Sequence, residues 1–296
     1  MKRLLIIGCG DVAQRALPQL SRRYRIYALV RTPERAAELR ALGLGIVPVP
    51  GDLDQPQSLL SLAGLAHDIL HFAPPPAHGA RDTRTAHLTA ALTRARRHGG
   101  AASLPQHLVY ISTTGVYGDH DGGVVTETAR VQPATDRARR RVDAETQLRT
   151  WGRRNRVRVT LLRAPGIYAA ERLPLDRLKS GTPAIRADED SYSNHIHADD
   201  LARLAVMALT RAAPLRAYNA VDDSALKMGD WFDLVADRHG LPRPPRVTRE
   251  AARGLVSPAL WSFMAESRRI ANTRVKREWG FRLRYPTVAD GVPFLS

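Results

Sequence analysis

A glycine turn between the first apolar run and the first helical pattern constrains the fold of this chain more than any other feature. Residues 2–8 form a short apolar run that ends in glycine, which is typical of a strand buried on both faces. The turn reads Gly8-Cys9-Gly10-Asp11-Val12-Ala13, and the helical spacing of Asp11–Ser21 begins inside it. In this pattern the first glycine permits a tight turn and the second lets a pyrophosphate approach the backbone. The small Ala13 lets the helix pack closely on the sheet.

Strand and helix patterns alternate through the first half of the chain. Strands are predicted at 2–8, 25–30, 46–49, 68–72, 107–112 and 157–163, and helices at 11–21, 33–41, around 59, 83–98 and 137–149. Because parallel neighbours need crossover helices, the alternation predicts an α/β fold with a doubly wound parallel sheet, the Rossmann fold.

The pattern becomes irregular from about Pro165 onward. Prolines are frequent there, and only Asp199–Thr210 shows a clear amphipathic helix. We therefore expect a dinucleotide-binding Rossmann domain at residues 1–165 and a smaller mixed C-terminal lobe at residues 166–296, interleaved with the first.

The carboxyl ends of parallel strands form the edge at which such folds bind ligands. At this edge the glycine turn opens a helix, whose free N–H groups and dipole favour phosphate. The sequence therefore predicts a dinucleotide held by the turn, with contacts from Gly8, Gly10, Asp11, Val12 and Ala13. The alternative is a tight turn that binds no ligand.

The end of the second strand bears on the choice of cofactor. An NAD site usually has an acidic residue at this position to hold the ribose hydroxyls, whereas this chain has Arg31, followed one helical turn later by Arg35. Two arginines would accept a 2′-phosphate, so we predict NADP, with NAD as the alternative cofactor. Asp52 and Leu53, after the third strand, are expected beside the adenine. The alternative is that Arg31 binds no ligand and is a solvated arginine in an arginine-rich protein.

Composition limits the partners. The chain has 45 lysines and arginines against 29 acidic residues, a net charge of +16. The arginines are scattered and lack interleaved aromatics, so we do not expect a nucleic-acid partner. There is one cysteine, no apolar run long enough to span a bilayer, and a first strand predicted to start at residue 2. We therefore expect a cytoplasmic protein without membrane contact, as a monomer or homodimer.

Several segments together resemble the extended short-chain dehydrogenases/reductases, which include epimerases and dehydratases acting on nucleotide sugars. The most specific is residues 111–118, Ile-Ser-Thr-Thr-Gly-Val-Tyr-Gly, and residues 163–168 and 194–202 also match. The resemblance implies a catalytic role for Thr113. It also implies cofactor contacts from five residues, namely Phe72, Ala73, Pro74, Ser112 and Pro165. The GxGxxA turn is nearer to an atypical branch of that family.

The resemblance departs from the family at its Tyr-x-x-x-Lys pair. Aligned from Pro133 to Glu145, the tyrosine position is Arg137 and the lysine position is Arg141. Arginine stays protonated at any usable pH, so it cannot exchange protons as the tyrosine does. Arg141 either binds the ribose or a phosphate, or belongs to a solvated helix face.

Other groups are candidates to replace the tyrosine. Tyr117 and Tyr168 could act with Thr113 on a substrate carbonyl, although each could instead be a packing residue. Arg172, Asn194 and His195 are candidates to bind a small-molecule substrate, and a nucleotide-linked one would account for the arginine.

Two functions compete on these observations. The first is an NADP-dependent oxidoreductase, epimerase or dehydratase with displaced catalytic groups, and the second is a non-catalytic NADP-binding sensor or scaffold. No HxxxH or HExxH spacing occurs, so we expect no metal site.

Overall fold

A seven-stranded sheet organises the chain in the computed structural model, which describes residues 1–94 and 103–294. Its strands are β1 (Lys2–Ile7), β2 (Tyr24–Val30), β3 (Val47–Pro50), β4 (Asp68–His71), β5 (His107–Thr113), β6 (Arg158–Ala164) and β7 (Arg216–Asn219). They lie in the order β7-β6-β5-β4-β1-β2-β3, and the pairs from β5 across to β3 are parallel. The predicted doubly wound Rossmann sheet is therefore confirmed. Its strand order reverses between β1 and β4, where such folds open a crevice for ligands.

The crossover helices follow the glycine turn and the next strand ends. They are α1 (Asp11–Ser21), α2 (Pro33–Ala41), α3 (Thr83–Thr93) and α4 (Asp136–Asn155), with a 3₁₀ segment at Pro56–Leu62. The first two begin and end at the predicted residues. The helix predicted for 83–98 ends at Thr93, and residues 95–102 lie outside the described part. The helix predicted to end at Arg149 continues to Asn155.

Shorter elements fill the rest of the chain. The remaining helices are Leu175–Lys179, Ala198–Arg211, Met228–Arg238, Arg249–Leu255, Pro258–Met264, Thr273–Trp279 and Val288–Gly291, with 3₁₀ turns at Thr114–Tyr117 and Ala170–Arg172. Short strands pair Gly166–Tyr168 with His195–His197, Tyr192–Ser193 with Leu226–Lys227, Ala184–Ile185 with Arg246–Val247, and Val124–Val125 with Arg269–Ile270. None of the helices in the described residues is both long and apolar enough to cross a membrane.

The chain divides into two compact units. Unit 1 comprises Met1–Thr113, Asp136–Arg163 and Leu201–Tyr218, and unit 2 comprises Thr114–Thr135, Ala164–Asp200 and Asn219–Ser296. Each unit therefore takes segments from both sides of residue 165, and the simpler boundary at that residue stays a prediction.

Unit 1 has its core on the sheet face covered by α3 and α4. Leu5 and Ile7 alternate along β1 onto this face, where they share one cluster with Leu88 of α3 and with Leu148 and Trp151 of α4. The burial of each such side chain contributes roughly 1.5–3 kcal/mol to the stability of the fold, so this packing holds both helices against the sheet. In unit 2, Tyr168, Trp231 and Phe232 centre a separate cluster.

Candidate functional site

Gly8, at the end of β1, occupies a position that only glycine can fill. Its φ is +83°, and a Cβ there would lie 2.5 Å from the backbone nitrogen of Ala73. The Gly8 carbonyl accepts a hydrogen bond from the Gly10 N–H at 2.9 Å. The turn is therefore pressed against the segment that follows β4 and leaves no space for a side chain.

Gly10 has a different reason to be glycine. It is the N-cap of α1 with φ −83°, no side chain caps the helix, and a Cβ there would meet no heavy atom within 4 Å. The backbone tolerates a side chain here, and the space in front of the helix N-terminus is open. Free N–H groups facing such a space form an anion site, so the loop fits the pyrophosphate of a dinucleotide.

A cavity of about 590 Å³ opens in front of this loop within unit 1. Nine residues that the sequence assigns to the cofactor line it: Gly8, Gly10, Arg31, Arg35, Asp52, Leu53, Phe72, Ala73 and Pro74. They come from the ends of β1, β2, β3 and β4, so the parallel sheet brings together segments that are far apart in sequence. This volume lies within the range of small-molecule and cofactor sites.

Arginines give the cavity a positive charge. Arg31 is exposed at its rim and, among the residues that the structure describes, its guanidinium has no hydrogen-bond partner. Arg35 is held more firmly, because it donates to the Cys9 carbonyl at 2.5 Å and pairs with Glu38. A phosphate in this cavity would therefore meet one free and one fixed guanidinium.

Cys9 is the thiol of the glycine turn. Burial raises the pKa of the Cys9 thiol to about 11, and the nearby Arg35 charge lowers it only in part. The thiol therefore stays protonated at neutral pH, which suits a packing role rather than redox chemistry.

The loop after β3 is tied to its own turn and to α3. The Asp52 N–H donates to Ser58 Oγ at 2.8 Å, and one Asp52 carboxylate oxygen accepts from the Asp54 N–H at 3.0 Å. The His87 ring lies 2.7 Å from the Leu53 carbonyl. These bonds hold Asp52 and Leu53 at the cavity wall.

The other residues of the predicted glycine-turn site belong to α1 itself. Asp11 makes an i,i+4 ion pair with Arg15 at 2.8 Å, while Val12 and Ala13 are buried in the helix face that packs on the sheet. Their backbone N–H groups, rather than their side chains, face the helix N-terminus.

Ser112, on β5, takes part in a buried network instead of lining the cavity. Its hydroxyl donates to Glu145 of α4 at 2.6 Å, and Arg163 of β6 donates to both oxygens of the same carboxylate at 3.0 and 2.6 Å. The Arg163 and Glu145 side chains are only 5% and 6% exposed. The network joins α4 to two strand ends of unit 1.

Arg141 also lies against β5. It donates to the hydroxyl of Tyr110 at 2.9 Å and to the carbonyl of Ile111 at 2.7 Å. The Tyr110 ring packs against the ring of His71 on β4, with centroids 4.9 Å apart. Burial raises the pKa of Tyr110 to about 12 and lowers that of His71 to about 3, so both stay neutral near pH 7. Arg137, one turn earlier on α4, is exposed.

The candidate catalytic residues are divided between the units. Thr113 ends β5 in unit 1 and is half-buried. In unit 2, Tyr117 is fully buried and donates to Asn219 Oδ1 at 2.7 Å. Tyr168, also in unit 2, donates to the Thr287 carbonyl at 3.2 Å, and burial, reinforced by the charge of Asp222, raises its pKa.

The candidate substrate residues all lie in unit 2. His195 is buried beside Trp231, with ring centroids 4.6 Å apart, and burial lowers its pKa to about 3. Asn194 bridges backbone groups of Arg268 and Ile270. Arg172 is exposed. Pro165, which the resemblance assigns to the cofactor, also belongs to unit 2 and is half-buried just before the strand Gly166–Tyr168.

One charged residue that lines the cavity was missed by the sequence reasoning. Arg84, in the first turn of α3, lines the cavity, and it binds Asp54 of the loop after β3 through two hydrogen bonds. A helix start at the carboxyl edge of the sheet was the available signal for Arg84, because the first turn of a crossover helix lies at that edge.

Within the described residues, no three His, Cys, Asp or Glu side chains form a group that could hold a metal ion.

Comparison with protein families gives a match over most of the chain. Residues 10–220 match the NAD dependent epimerase/dehydratase family. A search of curated proteins found no match.

Solved structures share the fold over nearly the full length. A functionally unknown conserved protein from Silicibacter pomeroyi DSS is 27% identical, with a TM-score of 0.77 over 98% of this chain and 96% of that one. UDP-glucuronic acid 4-epimerase from Bacillus cereus, solved with NAD, is 16% identical, with a TM-score of 0.73 over 98% and 95%. UDP-glucose 4-epimerase from Thermotoga maritima, solved with UDP-glucose, is 15% identical, with a TM-score of 0.76 over 98% and 96%.

Proposed function

Since the chain belongs to the NAD dependent epimerase/dehydratase family, we propose that it binds NADP in the cavity of unit 1 and uses it on a small-molecule substrate. The observation that carries the proposal is the lining of that cavity. It combines the glycine turn, an open space before the α1 N-terminus and Arg31 in place of an acid at the end of β2. The first two features match the pyrophosphate of the cofactor, and Arg31 matches its 2′-phosphate.

The proposed contacts follow the charges and shapes of the cavity. The first turn of α1 binds the pyrophosphate through backbone N–H groups. Arg31 and Arg35 bind the 2′-phosphate, because guanidinium groups pair well with phosphate oxygens. Phe72, Ala73 and Pro74 form the wall along the cofactor. When bound, the cofactor supplies or accepts a hydride.

An exchange of Arg31 tests the preference for NADP. In Arg31→Ala we expect the affinity for NADPH to fall about 10- to 100-fold and that for NADH to change less than threefold, because only NADPH carries the phosphate. Arg40→Ala is the matched control, since Arg40 is an exposed arginine of α2 that does not line the cavity. Equal losses for both cofactors would count against this assignment.

The reaction is proposed as oxidoreductase, epimerase or dehydratase chemistry without the usual Tyr-x-x-x-Lys pair, whose positions carry Arg137 and Arg141. The proposed catalytic residues are Thr113 and one of two tyrosines, Tyr117 or Tyr168. Of the two tyrosines, Tyr168 is the better candidate. Its hydroxyl makes one long bond to a carbonyl, whereas that of Tyr117 is tightly bound to an amide.

Turnover tests this assignment. NADPH oxidation is followed with simple carbonyl compounds, and NADP reduction is followed with nucleotide sugars, since two of the similar structures are epimerases named for nucleotide sugars. Arg172 and His195 are proposed to contact such a substrate. We expect Tyr168→Phe to lower kcat at least 100-fold with little change in NADPH affinity. Unchanged turnover in both Tyr168→Phe and Tyr117→Phe would exclude the tyrosines as proton donors.

A non-catalytic NADP sensor or scaffold is the second candidate. It is favoured by the side chains that occupy the usual catalytic positions. Arg141 is bonded to Tyr110 and Ile111, and Arg137 stays protonated and so cannot exchange a proton. This candidate predicts cofactor binding that is identical in wild type and in Tyr168→Phe, with neither oxidation of NADPH nor reduction of NADP by any substrate of the panel.

A further inference from the structure

Arg84 connects two loops at the rim of the cavity. Its Nε and Nη2 atoms donate to the two carboxylate oxygens of Asp54 at 2.8 and 2.5 Å, and its Nη1 atom donates to the Pro74 carbonyl at 3.1 Å. One guanidinium therefore joins the loop after β3 to the loop after β4. Arg84 lines the cavity, and because its side chain is 20% exposed and that of Asp54 44%, the pair does not lie in the core.

Asp54 also lies within the field of Arg31. The bonds from Arg84 hold the pKa of Asp54 below its usual value, and the charges of Arg31 and His87 act in the same direction. Arg31 has no hydrogen-bond partner among residues 1–94 and 103–294, whereas both oxygens of Asp54 are already occupied by Arg84. The bond between Arg84 and Asp54 thus leaves Arg31 uncommitted.

We propose that Arg84 determines cofactor selectivity by neutralising Asp54, which keeps Arg31 available for a 2′-phosphate. This inference rests on the proposed binding of NADP. Without Arg84, the carboxylate of Asp54 would be free within the field of Arg31. It would compete with the phosphate for Arg31 and repel the phosphate directly, and an uncommitted acid near the end of β2 is what an NAD site uses to hold ribose hydroxyls. Arg84 is thus a positioning residue that acts through Asp54.

A simple structural role for Arg84 predicts a different outcome. If Arg84 only joins the two loops, its loss would make the cavity wall less well ordered for both cofactors and would lower the affinities for NADPH and NADH together. Neutralising Asp54 would then bring no recovery. Selectivity, rather than affinity, separates the two roles.

The test compares NADPH and NADH binding to the purified full chain by calorimetry. We expect Arg84→Gln to weaken NADPH about tenfold while NADH stays within about twofold, which is a tenfold loss of selectivity. Asp54→Asn alone should stay near wild type, and the double variant Arg84→Gln/Asp54→Asn should recover most of the NADPH affinity. Arg84→Lys, which keeps the charge without the paired geometry, should also keep most of the selectivity.

Arg81→Gln is the matched control, since Arg81 is an exposed arginine just before α3 that does not line the cavity. Equal weakening of both cofactors in Arg84→Gln, with no recovery in the double variant, would overturn the inference and leave the NADP assignment intact. A wild-type chain that does not prefer NADPH would instead overturn the proposed function, and the inference with it. Thermal unfolding of each variant shows that the compared proteins are folded.

Discussion

At the scale of single residues, two glycines two positions apart have different physical roles. Gly8 has a left-handed backbone conformation and touches the backbone of Ala73, whereas Gly10 has an ordinary φ and faces open space. The sequence pattern assigned both to the same turn. It could not separate them, because their difference depends on the segment after β4 that packs against only one of them.

This difference predicts opposite effects of one substitution. Gly8→Ala should lower the free energy of unfolding by about 2–4 kcal/mol, because alanine is strained at positive φ and its Cβ collides with backbone. Gly10→Ala should change stability by less than about 1 kcal/mol. It should still weaken NADPH at least tenfold, because its methyl group occupies the phosphate space. Denaturant unfolding and calorimetry measure the two effects.

Control measurements on the same two variants make the comparison decisive. Circular dichroism shows whether Gly10→Ala keeps the wild-type secondary structure. If Gly10→Ala bound NADPH as tightly as wild type, the open space before α1 would not be the phosphate site. If Gly8→Ala were as stable as wild type, the close approach of Ala73 would not constrain the turn.

Buried His71 predicts a pH dependence of stability. Burial lowers its pKa to about 3, against an ordinary value of 6.5, so only the unfolded chain takes up this proton between those two values. Stability from this group is present above pH 6.5 and is lost as the pH falls. His71→Asn should therefore flatten the loss of stability below pH 6.5, by a slope that approaches about 1.4 kcal/mol per pH unit toward pH 5.

The slope, and not the absolute stability, is the readout for His71. The asparagine changes packing equally at every pH, and of the two side chains compared at position 71 only histidine titrates in this range. Urea unfolding at several pH values gives the slope for wild type and variant. Parallel lines for the two proteins would mean that His71 does not resist protonation in the folded state.

At the scale of elements, local patterns predicted helices and strands well where they are long and periodic. Helices α1 and α2 begin and end where expected, and β3 differs by one residue at each end. Strand β3 tolerates Pro48 and Pro50 because it is the edge of the sheet, where a missing N–H costs no ladder bond.

Tertiary packing decided the elements that the sequence misjudged. Helix α4 continues past Arg149 because Trp151 is buried in the sheet core and Gly152 lies against Val159 of β6, where a Cβ would approach to 2.6 Å. The two- and three-residue strands of unit 2 are too short to show a period of two. Arg84 was missed because its partner Asp54 is thirty positions away, and no local pattern connects them.

The network around Glu145 predicts how firmly α4 is held to the sheet. Glu145→Gln leaves the buried Arg163 guanidinium without its countercharge, so we expect a loss of about 3–5 kcal/mol in the free energy of unfolding. Thr146→Ala, an exposed change on the same helix, should cost less than about 1 kcal/mol. Similar stabilities for both variants, measured by denaturant unfolding, would contradict a structural role for the ion pair.

At the scale of the whole molecule, the chain is a family member whose proposed cofactor cavity was more predictable than its proposed catalytic residues. The cavity is built by strand ends that the βαβ alternation reveals, so nine predicted residues lie along it. The candidate Tyr117 lies in segment 114–135, which belongs to unit 2, while segment 201–218 belongs to unit 1. Each is opposite to the unit that its place in the sequence suggests. Hydrophobic periodicity carries no information about that exchange.

The charge of the whole chain also has a structural explanation in part. Many of the basic residues that give the net charge of +16 are bound to acids or carbonyls, as Arg163 and Arg84 are. The excess of arginine therefore does not require a polyanionic partner. Arg31, exposed and without a hydrogen-bond partner among the described residues, is the arginine whose charge the cofactor proposal uses.

The central claim is that the cavity of unit 1 binds NADP, and calorimetric titration of the wild-type protein with NADPH and, separately, with NADH tests it most directly. We predict micromolar binding of NADPH with one site per chain, and binding of NADH at least tenfold weaker. Equal affinities would contradict the role of Arg31. No binding of either cofactor to folded protein would contradict the claim itself and would leave the glycine turn as an element of architecture alone.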